Sequence, residues 1–235
     1  MSLIRFLSNF FNLIYPNACY SCNELLIEGE ETICTKCLVS LPETKDSFST
    51  DTHLFTRFNA IYPCSIVSSF LYLSKNGKVE NMMYELKYKG KYELGVSLGI
   101  LFGKALMTSP LFDPKRYEWI IPIPIHKKRL KQRGYNQSTA IAEGLSKATG
   151  IETNETICER VYATKTQTSK NKFSRFFTME SAFEVSKPQL ISKDSGVLIV
   201  DDIITTGATI DSLCEKIYKL NKVSHFGILS LARKQ

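Results

Sequence analysis

A chain of 235 residues, 43% of them hydrophobic, can bury a real core; this excludes intrinsic disorder and leaves room for one medium domain with a small appendage. The formal net charge of +7 suits an anionic partner without identifying one, because many basic surfaces bind nothing acidic. Seven cysteines, an odd number with no recognisable secretory signal, argue against a disulfide framework and for a reducing, cytoplasmic setting.

The chain opens on an apolar segment containing Leu3, Ile4, Phe6, Leu7, Phe10, Phe11, Leu13 and Ile14. At about a dozen residues it is too short to span a bilayer, and no other stretch is transmembrane. It reads as a helix docking on the protein or a partner, with a membrane-surface helix as the weaker alternative. Next come Cys19-x-x-Cys22 and, after eleven residues, Cys34-x-x-Cys37. Two such knuckles supply four thiolates for one tetrahedral zinc ion, and a closed four-sulfur site is structural. One C-x-x-C alone could be a redox motif, but two at this spacing favour zinc. Between the pairs, Gly29 lets Asn23 to Ile33 turn back as a short hairpin. Cys64, Cys158 and Cys214 read as small buried residues.

Residues 42–58 read as a polar linker. Ile61 to Leu73 is strand-like, Asn76-Gly77 marks a turn, and Val79, Met82, Met83, Leu86, Leu94, Leu98, Leu101 and Leu106 recur at helical spacing with a break near Lys89-Gly90-Lys91. Trp119 to Pro124 is a strand ending in prolines, and Ser138 to Lys147 a helix ending at Gly150. The run Val197 to Val200 can be a strand buried on both faces, as in a parallel sheet. It meets Asp201 and Asp202, then Thr205, Thr206, Gly207, Ala208 and Thr209, before a helix to Leu220 and a last strand near Phe226 to Leu231. Strand and helix in this order imply a parallel sheet with right-handed crossovers, in domains spanning 1–45 and 59–235. In open α/β sheets the carboxyl ends of strands hold the ligand, and a helix start offers orphan N–H groups and a favourable dipole to an anion. The bland alternative is a threonine-capped helix after a core strand.

Two basic stretches flank that motif. His126 to Arg133 carries five lysines and arginines in eight residues, and if its strand is parallel to Val197–Val200 it opens on the same edge. There Lys127 and Lys128 are either pyrophosphate partners or a solvated face; Arg133, before Gly134-Tyr135-Asn136-Gln137, suits a planar, hydrogen-bonded anion or base, and His126 is either an acid–base group or structural. The second stretch, Arg160, Lys165, Lys170, Lys172 and Arg175, has no acid between Glu159 and Glu180. Its Phe173, Phe176 and Phe177 either anchor it to the core or stack on single-stranded nucleic acid.

The stretch from Val197 to Thr209 resembles the phosphoribosyl pyrophosphate signature of type I phosphoribosyltransferases. The resemblance implies that Asp201 and Asp202 hold the ribose hydroxyls, directly or through Mg²⁺, and that Thr205 to Thr209 clasp the 5′-phosphate. The fold it implies is a type I phosphoribosyltransferase-like α/β parallel sheet with helices on both faces, beside the small four-cysteine zinc module. In that family a flexible loop in the position of Arg160–Arg175 closes over the ligand. Nearly the whole chain resembles the ComF family of bacterial proteins, on the cysteine module, Leu86-Lys87-Tyr88-Lys89-Gly90, Ile121-Pro122-Ile123-Pro124, Arg133-Gly134-Tyr135-Asn136-Gln137, Thr166-Gln167, Arg175, Ala182-Phe183 and the acid–threonine stretch. It departs at Thr178, where the family pattern has asparagine. The family implies DNA uptake and utilisation (natural competence), as an accessory factor contacting single-stranded DNA or a helicase, with an active transferase as the alternative. Purine phosphoribosyltransferases have aspartate where this chain has Thr205, which removes the proton partner of a purine nitrogen and with it a hypoxanthine- or guanine-type reaction.

Overall fold

A computed structural model describes residues 17–161 and 182–234. In chain order its elements are α1 (Thr35–Val39), α2 (His53–Asn59), β1 (Cys64–Leu73), α3 (Lys78–Tyr88), α4 (Tyr92–Met107), β2 (Tyr117–Pro122), α5 (Lys127–Arg133), α6 (Gln137–Thr149), β3 (Cys158–Arg160), β4 (Phe183–Val185), β5 (Ser195–Ile204), α7 (Ala208–Tyr218) and β6 (Val223–Lys234). β1, β6, β5 and β2 pair in that order as one four-stranded sheet, every pair parallel, while β3 and β4 form an antiparallel pair.

The continuous apolar runs arise because both sheet faces are covered. Along β5, Leu198 and Val200 face α3, α4 and α6, while Val197 and Ile199 face α2, α7 and the β3–β4 pair. The same alternation puts Ile120 on the first face and Ile121 on the second. Each such buried aliphatic side chain stabilises the fold by about 1.5–3 kcal/mol relative to exposure.

α4 and α6 meet at two glycines. A Cβ on Gly99 would lie 2.2 Å from the Ile141 carbonyl oxygen, and one on Gly144 2.1 Å from that of Val96. Only hydrogen at these positions permits the approach that sets α6 beside the sheet.

Three sequence expectations change. Residues 42–58 are no free linker: Asp46 and Phe58 are buried, and the backbone bonds Tyr72 N–H to Pro42 O (2.8 Å) and Thr44 N–H to Phe70 O (3.0 Å). An edge strand leaves backbone groups unpaired, and residues 42–44 satisfy those of β1. The basic stretch after β2 is helical over Lys127–Arg133, because its lysines, arginines, leucine and glutamine favour helix and His126 caps it. The Val197 strand does not stop at the acids; β5 continues to Ile204 because β6 pairs with it there, Asp201 opposite Ser230 and Ile204 opposite Arg233.

The apolar N-terminal segment and most of the second basic stretch, from Lys165 to Arg175 with its phenylalanines, lie outside the described residues. Among the described residues no helix is long and apolar enough to cross a membrane.

Candidate functional site

The four sulfur atoms of Cys19, Cys22, Cys34 and Cys37 lie within 4.8 Å of one another. Cys22 Sγ and Cys34 Sγ are 3.8 Å apart, and a tetrahedron with a metal–sulfur bond of about 2.3 Å has sulfurs about 3.8 Å apart. Burial opposes charge on Cys19, but N–H groups of Cys34, Cys22 and Ser21 outweigh it and bring the thiol down to about 7. A backbone N–H of Glu24 favours the Cys22 thiolate, yet burial and the other three sulfurs push Cys22 up to about 12. The Cys19 thiolate is thus easily held and the Cys22 thiolate is not, unless a cation sits among the sulfurs. The donor set fits a metal such as zinc. The module packs against the domain: Asn81 Nδ2 on α3 donates to Ser21 O (2.9 Å), and Lys91 lies over the Tyr20 ring (5.0 Å).

The second site lies at the carboxyl edge of the sheet. Its core is Asp201 and Asp202, both half-buried near the carboxyl end of β5, which runs on to Ile204. Asp201 Oδ1 accepts the Asp202 N–H (2.8 Å) and the Ser138 hydroxyl (3.3 Å) from the start of α6. Burial, and then the adjacent Asp202 charge, push Asp201 up to about 7; its hydrogen bonds and Lys87 offset this in part.

Beyond the acids the chain turns at Gly207, whose φ of 74° is the left-handed conformation, and enters α7 with no side chain capping it. The nearest approach to a cap is Ala208 N–H to Thr206 Oγ1, at 3.5 Å. The helix start therefore retains donors for an anion, which a threonine cap would have occupied. Asp201 and residues 203–210 line a cavity of about 30 Å³ there. Phe58 and Arg57 of α2 back the turn: a Cβ on Gly207 would meet Arg57 Nη1 at 2.7 Å and Phe58 Cζ at 2.8 Å. Arg57 also pairs with Asp211 in the first turn of α7.

The segment after β2 opens on the same edge, as its parallel pairing with β5 requires: Ile123 N–H donates to Val200 O at 2.8 Å. The residues singled out there have different fates. Lys127 and Lys128 are exposed. His126 Nδ1 accepts the Lys128 N–H at 3.2 Å and so caps α5. Arg133 donates to Gln137 Oε1 (2.7 Å) and lies over the Tyr88 ring (5.7 Å). Tyr135 donates its hydroxyl proton to Leu86 O, and Asn136 caps α6 while its amide donates to Ile123 O (3.0 Å). Arg133 to Gln137 thus knits α3, the segment after β2 and α6 together behind the acids.

The structure brings two further groups here, Lys87, to which the sequence assigned no role, and Arg160, which it placed at the start of the second basic stretch. Lys87 Nζ lies 3.0 Å from Asp202 Oδ2. Arg160, which ends β3 over the Phe183 ring, is lowered by burial and by Arg129, while the Asp201 charge favours its protonated form. Lys87 had only its place in the Leu86–Gly90 motif as a signal, whereas Arg160 opened the basic stretch that the resemblance set over the ligand. A larger cavity of about 500 Å³ borders Ile204 and Thr205 and reaches Tyr72, His53 and Arg233.

No family model matches the chain. It is 33% identical over 116 residues to competence protein F of Haemophilus influenzae, covering 49% of this chain and 50% of that protein. Over 135 residues it is 26% identical to the DNA utilization protein YhgH of Salmonella typhimurium (57% and 58%), and over 107 residues 36% identical to competence protein ComFC of Streptococcus pneumoniae (46% and 44%). The matched part of the chain thus spans about half the length of these curated relatives. Solved structures similar to it include adenine phosphoribosyltransferase of Saccharomyces cerevisiae (16% identity, TM-score 0.35, 60% of this chain and 69% of that one) and the glutamine phosphoribosylpyrophosphate amidotransferase of B. subtilis (15%, 0.42, 63% and 30%). The chain is homologous to the competence F, ComFC and YhgH proteins, as its motifs indicated.

Proposed function

We propose that this chain binds phosphoribosyl pyrophosphate, with Mg²⁺, at the turn between β5 and α7, and serves DNA uptake or utilisation as an accessory factor. The observation that carries the reading is the uncapped helix start, entered through Gly207 just past the end of β5, the strand that carries the half-buried pair Asp201–Asp202. Backbone donors and hydroxyls of Thr205, Thr206, Ala208 and Thr209 would take the 5′-phosphate, and the acids the ribose hydroxyls. Asp201 and Asp202 offer hard oxygen donors that fit Mg²⁺ through the ligand; the ion, when bound, would neutralise part of the pyrophosphate charge. Lys127 and Lys128, exposed at the same edge, would face the pyrophosphate; His126 and Arg133 would order that corner. Zinc in the four-cysteine site would be structural. The similarity to competence and DNA utilization proteins supports the DNA role, with single-stranded DNA or a helicase as the contact, in a reducing cytoplasm that keeps the thiols free.

Calorimetry tests the binding site: the full chain should bind Mg²⁺–phosphoribosyl pyrophosphate, and Asp201→Asn with Asp202→Asn should weaken it by at least about tenfold, the worth of one charge-assisted contact. Unchanged affinity would remove the assignment.

The 500 Å³ cavity beside Thr205 favours a second reading, an active phosphoribosyltransferase, because it leaves space for an acceptor next to the loop. Pyrophosphate release on adding candidate bases or amines would establish it; binding without turnover supports the accessory role.

A further inference from the structure

The acid pair already has a cation. Lys87, in the last turn of α3, places Nζ 3.0 Å from Asp202 Oδ2, and the two side chains are only 19% and 16% exposed. The residues on either side hold this helix end: Leu86 O accepts the Tyr135 hydroxyl, and the Tyr88 ring lies under the Arg133 guanidinium. The ammonium is thus held at the acids by the same corner that orders the segment after β2. Two adjacent, half-buried carboxylates repel each other, and the bound ammonium at Asp202 offsets part of that repulsion beside the Arg160 charge near Asp201. A divalent ion on Asp202 would have to displace the ammonium or sit against a like charge.

We propose that Lys87 is the resident counter-cation of the acid pair, a positioning residue that takes the electrostatic place of a divalent ion at Asp202. The pair then receives ribose hydroxyls without a metal of its own and binds free divalent metal weakly. The inference rests on the phosphoribosyl reading for its ligand and sharpens the ligand class: a 5-phosphorylated ribose whose C1 substituent need not be a metal-bound pyrophosphate.

Zinc-loaded full-length protein tests it in two arms. In the first, Mn²⁺ alone is titrated by electron paramagnetic resonance against the wild type, Lys87→Met, Lys87→Gln and Lys87→Arg. The neutral variants should gain a site about tenfold tighter, as expected when a partly buried counter-charge is removed. Lys87→Arg should match the wild type, and adding Asp202→Asn to Lys87→Met should abolish the gain. Equal Mn²⁺ affinity across the series overturns the proposal. Two neutral replacements guard against one failing to fold, which circular dichroism checks. In the second arm, ribose 5-phosphate is titrated with and without Mg²⁺. Wild type should bind equally in both; Lys87→Met should lose about tenfold without Mg²⁺ and recover with it. A Lys87→Met variant as indifferent to Mg²⁺ as the wild type overturns the proposal. If ribose 5-phosphate binds none of these proteins, the phosphoribosyl reading fails, and the Mn²⁺ arm still decides the role of Lys87.

Discussion

Asp46 and Arg233 stand 187 positions apart and form a two-point ion pair: Arg233 Nε lies 2.8 Å from Asp46 Oδ2, and Nη2 lies 3.0 Å from Oδ1. Asp46 is 4% exposed, and the guanidinium also lies over the Tyr72 ring at 4.7 Å. This pair ties the segment after the cysteine module to the last strand, at the wall of the larger cavity. Asp46→Ala should leave a largely buried arginine without its partner and cost about 3 kcal/mol, the low end for breaking a buried pair since Arg233 keeps some contact with solvent. Urea unfolding should show a lower midpoint with an unchanged slope. Adding Arg233→Met should return part of the loss; an unshifted midpoint in Asp46→Ala would contradict the assignment.

The cysteine module should hold one zinc per chain, measured by elemental analysis of protein purified without chelator. Cys37→Ser, at a buried ligand position, should abolish stoichiometric zinc and free Ser21 and Tyr20 from α3 and its neighbours, because so small a segment folds on its metal. Hydrogen exchange would show loss of protection confined to residues 17–41, since residues 42–44 are held by β1. Retention of zinc with full protection in Cys37→Ser would rule out the four-sulfur site.

Gly207→Ala should separate turn geometry from charge. The φ of 74° disfavours any L side chain, and the added carbon would also meet Arg57 and Phe58. The expected cost is about 2 kcal/mol in stability, with a loss of phosphate affinity beyond that of the folded fraction. Calorimetry with ribose 5-phosphate on protein verified as folded reads the second effect. Wild-type affinity would mean that the helix start does not bind the phosphate.

Gly144→Ala probes how α6 is set. Backbone lies on the far side of the gap, 2.1 Å from the new carbon, so the helices must separate. Overpacking of this kind costs about 1–3 kcal/mol. Because α6 carries Ser138 to Asp201, ligand affinity should fall along with thermal stability. A stable variant with unaltered affinity would show that α6 can shift without moving the acids.

The DNA role has its own test in the stretch outside the described residues. Reversing charge at Lys170, Lys172 and Arg175 should weaken single-stranded DNA binding and flatten its salt dependence, since fewer phosphates are neutralised and fewer counterions released on binding. A gel-shift series with wild-type salt dependence would place any DNA contact elsewhere.

The sequence by itself determined the strands of the main sheet, the major helices, the cysteine quartet and the acid–threonine–glycine motif, but not the β3–β4 pair. These are local patterns: apolar period, ligand spacing, and a strand-to-turn-to-helix transition within a dozen residues. It also indicated that the segment after β2 would open on the same edge as the motif, because parallel strands share their carboxyl ends. Only the tertiary structure decided which charges meet. Arg133 read as suiting a planar anion or base, and the fold brings Gln137 and Tyr88 to its guanidinium. Lys87 figured in the sequence only within the Leu86–Gly90 motif, and it is the partner of Asp202. Residues 42–58 read as polar linker, and they close the β1 edge and bury Asp46. Composition makes a charged residue look solvated unless its partner is nearby in sequence. Here the partners are distant in the chain, and the packing of α3, α6 and the last strand brings them together.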